Sequence, residues 1–250
     1  MTRRQPDADD RSELADALRK GLLIGSAFLL LALPPIVDHS TSRQRSPPSV
    51  PLTHSRLAVH LADFKNTIPT PEAREMADWV ASSDDNQKRA FVIVDKKDAK
   101  VYVFDPQGHL KDAAPALLGE AVGDDSAPGI GDKPLAQVLP QEKTTPAGRF
   151  VAEAGMSTRG EDVVWVDYDA AVSMHRVLNV KERLAALSSP TNADNRMSFG
   201  CINLPPQFYE KVLRPTVDAE GAVIYILPET RPLQQTFASF YDVTQDLAQH

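Results

Sequence analysis

Seven short runs rich in β-branched and aromatic residues constrain the fold of this chain more than anything else in it. Phe91-Val92-Ile93-Val94 and Val101-Tyr102-Val103-Phe104 flank the polar residues 95–100 and predict a hairpin. Asp105-Pro106-Gln107-Gly108 then reads as a turn. Further strand-like runs fall at 117–122, 150–154, 163–168, 171–178 and 221–227. Each is too short for a helix of ordinary length, so the expected class is mainly β, with a mostly antiparallel sheet and a few short helices. One helix is predicted from Thr70, a capping residue, with Pro71 at the first helical position, Glu72 at the positive helix terminus, and Met76, Trp79 and Val80 on one face. Others are expected over 181–187 and 205–212. Residues 123–146 form a Gly/Pro-rich loop of the kind that lines a site, and 188–197 a polar loop.

The 250 residues, 42% hydrophobic, suffice for one catalytic-sized domain with appendages. With 27 Lys and Arg against 34 Asp and Glu, a net charge of −7, the chain has no basic field to gather nucleic acid. Residues 1–20 mix acids and bases and end in Arg19-Lys20, directly before an apolar run at 21–37. That order favours a cytoplasmic N-terminus and export of the residues beyond the run, through a transmembrane anchor or a signal segment. Leu22, Leu23, Ile24, Ala27, Phe28, Leu29, Leu30 and Leu31 cover every helical face, which argues against an amphipathic core helix. No A-x-A site comes after the run, and an uncleaved anchor is the favoured form. Residues 38–56 read as a flexible tether, 57–85 as a helical lead-in, 86–228 as the catalytic domain, and 229–250 as a tail whose Phe237, Phe240 and Tyr241 dock back on it.

The sole cysteine, Cys201, lies in Ser198-Phe199-Gly200-Cys201-Ile202-Asn203 and has no partner for an intramolecular disulfide. Taken alone, this hexapeptide is equally compatible with a buried core thiol and with a nucleophile. A nucleophilic thiol requires a neighbouring base or cation. Of the six histidines, His175 stands on the strand that precedes the segment leading to Cys201. Gly129-Ile130-Gly131 is no phosphate loop, because no Lys-Ser/Thr pair or helix comes after it and Pro134 interrupts the stretch. No His/Cys cluster has metal-ligand spacing, and no cofactor is expected. Arg149 and Arg196 read as solvated surface residues, and Trp165 and Tyr168 as packing.

Thr145-Pro146-x-Gly148-x-Phe150, the strand with His175, and Ser198-x-Gly200-Cys201-Ile202-Asn203 together resemble the L,D-transpeptidase (YkuD-type) catalytic domain of bacterial cell-wall enzymes. The resemblance covers residues 86–227. It implies a β-sandwich that cross-links peptidoglycan through a cysteinyl acyl-enzyme formed with a tetrapeptide stem, releasing D-alanine. It also implies that Cys201 is the nucleophile, His175 the base and the Arg176 carbonyl the group orienting the imidazole. Backbone N–H groups around Phe199, Gly200 and Cys201 would serve the oxyanion, with Ser198 and Asn203 holding the loop. The implied partners are peptidoglycan stem peptides and carbapenem-type β-lactams, and the implied location is the extracytoplasmic face of the bacterial inner membrane. Two departures stand out: Phe199 replaces the second motif histidine, and the segment from His175 to Ser198 is longer than usual. They leave a transpeptidase, an L,D-carboxypeptidase-type hydrolase and a catalytically weak wall-binding domain as the alternatives.

Overall fold

A computed structural model describes residues 60–244, which belong to a unit running from Arg56 to His250. The expectations for the cytoplasmic N-terminus, the anchor, the whole tether and the start of the helical lead-in, residues 1–59, lie outside the described residues. Among the described residues, no helix is long and apolar enough to cross a membrane.

Among the described residues the first helix is α1 (Pro71–Ser83), capped as its sequence predicts, with Thr70 Oγ1 accepting from Ala73 N–H at 3.2 Å. The strands β1 (Ala90–Asp95), β2 (Lys100–Phe104) and β3 (Leu110–Pro115) come next as an antiparallel meander. The next strand, β4, is confined to Leu118–Gly119. The run expected over 117–122 is this short because the chain turns into the long loop, where a Cβ on Gly119 would lie 2.3 Å from Lys143 O. That loop carries three single 3₁₀ turns and leads into β5 (Gly148–Val151) and β6 (Glu153–Met156). After them come β7 (Asp162–Asp167), β8 (Val172–Arg176), α2 (Lys181–Leu187), β9 (Arg196–Ser198) and β10 (Ile202–Leu204). The helix expected over 205–212 is longer: α3 (Pro206–Phe208) passes through a π-helical turn, Tyr209–Leu213, into α4 (Arg214–Glu220). Pro215 has no N–H to return to residue 211, and the widened turn just before it absorbs that defect. β11 (Ala222–Ile226) and the short α5 (Leu233–Thr236) come after α4.

Two sheets result, one of five strands in the order β3-β2-β1-β11-β5 and one of four in the order β10-β8-β7-β6, with β4 and β9 as a separate pair. The sheet is less uniformly antiparallel than expected, because β1–β11, β8–β10 and β4–β9 are parallel pairs. Period two explains why β1 reads as an unbroken apolar run. Val92 and Val94, with Val101, Val103, Ile224 and Ile226, face the core between the sheets, opposite Val164, Met174, Ile202 and Leu204. Phe91 and Ile93, with Tyr102, Phe104, Val223 and Tyr225, face the other way, onto Met76, Trp79 and Val80 of α1. Phe237 and Phe240 complete that outer layer, while Tyr241 stays exposed. A strand buried on both faces has no polar alternation to show.

Candidate active site

The register of β8 against β10 builds the site. Ile202 pairs with Met174, Asn203 with His175 and Leu204 with Arg176, in parallel. Met174 and Ile202 are buried in the core between the sheets. Their sequence neighbours therefore point to the opposite face, where Ser173 and His175 form one column and Cys201 and Asn203 a second beside it.

Cys201 is half-buried, and its Sγ lies 3.7 Å from Ser173 Oγ and 3.6 Å from Ala171 O, to which it donates. His175 Nδ1 lies 2.8 Å from Arg176 O, and its Nε2 lies 3.3 Å from Asn203 Nδ2. The neutral imidazole consistent with both contacts donates from Nδ1 to the carbonyl and accepts at Nε2 from the amide. Burial pushes the Cys201 thiol up, but the hydrogen bond and charge of His175, together with the N–H and hydroxyl of Ser173, bring it below its ordinary value. Burial pushes His175 down, and Cys201, the Arg176 carbonyl and the charge of Glu161 carry it above its ordinary value. Each group thus favours the charged form of the other, as a thiolate–imidazolium pair requires.

The residue supplying the orienting carbonyl is itself held fast. Arg176 donates from Nη1 to Asp162 and from Nε to Glu210, each at 2.8 Å, and its guanidinium sits 4.5 Å from the Tyr209 ring centre.

The loop carrying the thiol is fixed from inside. Ser198 Oγ donates to Cys201 O at 2.6 Å and accepts from Gly200 N–H at 3.1 Å. The Gly200 N–H is therefore engaged within the loop, which removes it from the oxyanion donors expected around Phe199, Gly200 and Cys201. Gly200 has φ +126, and a Cβ there would lie 2.7 Å from Thr144 O, so a side chain is excluded by both conformation and space. Buried Thr145 clamps the loop to β4: its Oγ1 donates to Gly200 O and accepts from Gly119 N–H, both at 2.9 Å. Phe199, 44% exposed, lies beneath Lys143 Nζ, which sits 4.6 Å from its ring centre and pairs with Glu120 at 2.6 Å.

Several contributors carry no signal that singles them out in the sequence, and one does. Ser173 is readable from period two, since it stands two residues before His175 on the same strand. Lys96 is not, although it is buried and its Nζ donates to Thr145 O at 3.0 Å, Gly123 O at 2.6 Å and Asp124 Oδ1 at 2.8 Å. Arg183, in the stretch between His175 and Ser198, donates to Asn203 Oδ1 at 2.8 Å, and no local pattern announces it. Arg149 and Arg196 are not free surface residues, since they pair with Asp85 and Glu229, respectively. Trp165 packs edge-on against Tyr168, their rings 5.0 Å apart. Among the described residues, no group of three or more His, Cys, Asp or Glu side chains is placed to hold a metal ion.

No family model matches the sequence, and no curated protein matches it. Solved structures do show similarity. The catalytic domain of the Enterococcus faecium L,D-transpeptidase is 15% identical over 56% of this chain and 98% of its own, with a TM-score of 0.32. An L,D-transpeptidase from Mycobacterium tuberculosis is 15% identical over 56% of this chain and 57% of its own, with a TM-score of 0.35. The helical cell shape determining protein of Campylobacter jejuni is 16% identical over 59% of this chain and 50% of its own, with a TM-score of 0.38. The chain thus spans about half the length of the last two proteins.

Proposed function

We propose that this protein is a cysteine acyltransferase of the L,D-transpeptidase kind, acting on peptidoglycan stem peptides on the extracytoplasmic side of a membrane to which the run at 21–37 ties it. The observation that carries this reading is the pair of columns Ser173/His175 and Cys201/Asn203, with His175 Nδ1 held 2.8 Å from Arg176 O. That geometry sets a thiol and an imidazole on adjacent strands, on the face turned away from the core, and the hexapeptide around the thiol supplies the substrate class by its resemblance.

In this reading His175 Nε2 takes the thiol proton, and Cys201 Sγ attacks the carbonyl carbon between the diamino acid and the terminal D-alanine of a tetrapeptide. The C–N bond breaks, the imidazolium returns the proton to the departing amine, and a thioester remains. An amine from a second stem, or water, then attacks the thioester. Its proton passes to His175 and on to the released thiolate. Backbone N–H groups beside Phe199 and Cys201 are the donors for the oxyanion, each worth about 3 kcal/mol in such sites. They do not depend on the side chain at 199, so replacing the motif imidazole with a phenyl ring leaves them in place.

Intact-mass spectrometry after exposure to a carbapenem tests the reading. The expected result is one adduct, mapped to Cys201 and missing in Cys201→Ser. Unchanged mass, with no alkylation of Cys201 by iodoacetamide, sinks it. Incubation with a disaccharide tetrapeptide then distinguishes the outcomes: a cross-linked dimer identifies an amine acceptor, and tripeptide with free D-alanine identifies water.

A further inference from the structure

Arg183 stands on α2, within the stretch between His175 and Ser198 that exceeds the usual spacing. Its guanidinium reaches back to the site, with Nη1 donating to Asn203 Oδ1 at 2.8 Å and Nη2 to Met197 O at 3.0 Å. An Asn amide can be turned either way round, and its hydrogen bonds decide which end faces which neighbour. A guanidinium has only donors, so the end facing Arg183 must be the oxygen. The other end, Nδ2, then points to His175 Nε2 at 3.3 Å and Cys201 O at 3.3 Å.

We propose that Arg183 is a positioning residue for His175: by holding Asn203 Oδ1, it keeps the Asn203 amide donating to His175 Nε2 and so maintains a neutral imidazole with its lone pair on the nitrogen that receives the thiol proton. This assignment rests on the acyltransferase reading for its meaning, although the contact itself does not. A donor at Nε2 suits the neutral ring and opposes the imidazolium, whose Nε2 carries a proton. When Cys201 Sγ gives its proton to Nε2, the Asn203 amide must release that nitrogen. The arrangement therefore limits how far the resting pair is converted to thiolate and imidazolium. The other charged or titratable groups facing His175 are the Cys201 thiol and the Glu161 carboxylate, both of which favour the imidazolium. Asp162 is occupied by Arg176 and Arg214, and Glu210 by Arg176.

Loosening the amide should therefore raise the pH at which His175 titrates. The measurement is the imidazole ¹⁵N titration of the full chain labelled at histidine, with His175 identified by its disappearance in His175→Ala. Arg183→Gln is expected to shift the His175 midpoint upward by about half a pH unit or more, because the amide is free to turn its oxygen to a protonated Nε2. Arg183→Lys retains one donor for Asn203 Oδ1 and should restore a near-native midpoint. Asn203→Asp places a carboxylate against Nε2 and should raise the midpoint further than Arg183→Gln. A folded Arg183→Gln whose His175 titrates at or below the native midpoint overturns the proposal. If that variant does not fold, an unmoved midpoint in Asn203→Asp overturns it instead. No substrate enters this experiment, so an absence of carbapenem acylation would count against the proposed function and leave the titration result standing.

Discussion

At the scale of residues, the site depends on mutual charge stabilisation between Cys201 and His175. For the thiol, the shift is downward, so its thiolate persists to lower pH than a free thiol's, and the stability it contributes is lost as pH falls through the lowered value. For the imidazole, the shift is upward, and its contribution is complete below the ordinary imidazole value and lost as pH rises through the raised one. The thiol's reactivity toward an alkylating agent should therefore set in at a lower pH than a free thiol's. His175→Ala removes the groups' shared benefit and leaves burial as the largest influence on the thiol, which it drives upward. At about pH 7, alkylation of Cys201 by iodoacetamide is expected to slow by roughly tenfold or more in that variant. Rates followed by mass spectrometry from about pH 6 to 9 check this; a profile that coincides with the native one contradicts it.

At the scale of elements, the loop bearing the thiol is anchored through a buried ionic cluster at the end of β1. Lys96, whose side chain is 0% exposed, meets Asp124 at 2.8 Å and Glu229 at 3.5 Å, and Arg196 at the start of β9 joins Glu229. The same Nζ holds Thr145 O, and Thr145 in turn holds Gly200. Burial pushes the Asp124 carboxyl up, but Lys96, Thr230 and the N–H groups of Glu229 and Thr230 outweigh it and hold the group well below the carboxylate range. Its contribution is present above the ordinary carboxylate value and fades only in strong acid. Lys96→Met would leave the buried Asp124 carboxylate without its cation, while Glu229 keeps Arg196, at a cost of about 3–5 kcal/mol, read as a lower urea midpoint. A midpoint within experimental error of the native protein's would show that the cluster contributes nothing. This cluster is illegible in the sequence because its members come from residues 96, 124, 196 and 229, each unremarkable in its own stretch. The elements themselves vary in legibility for physical reasons. Helix α1 and the β1–β2 hairpin are plain, since Thr70-Pro71 caps one and unbroken β-branched runs mark the other. Strand β3, with Lys111, Asp112 and Pro115, has the composition of an edge, where one neighbour suffices and propensity is low. The columns of the site become readable only once the pairing of β8 with β10 is known.

For the whole molecule, the five-stranded sheet is sealed on one side by the second sheet and on the other by α1 and the C-terminal segment. Phe240, 7% exposed, packs against Trp79 with ring centres 5.7 Å apart. Phe240→Ala is expected to cost about 3–5 kcal/mol and to lower the thermal midpoint. Because that layer lies on the far face of the sheet from Cys201, the alkylation rate per folded molecule should stay native, and a fall in that rate would refute the separation. The parallel pairing of β8 with β10 has a consequence for how this protein can change. His175 and Cys201 are neighbours through a ladder of backbone hydrogen bonds, not through the covalent chain that runs between them. The intervening segment is therefore free to lengthen, or even to acquire new termini near Pro190, without moving the thiol away from the imidazole. Such a segment can accumulate accessory residues such as Arg183 one at a time, adjusting the chemistry from outside while the scaffold underneath stays as it was.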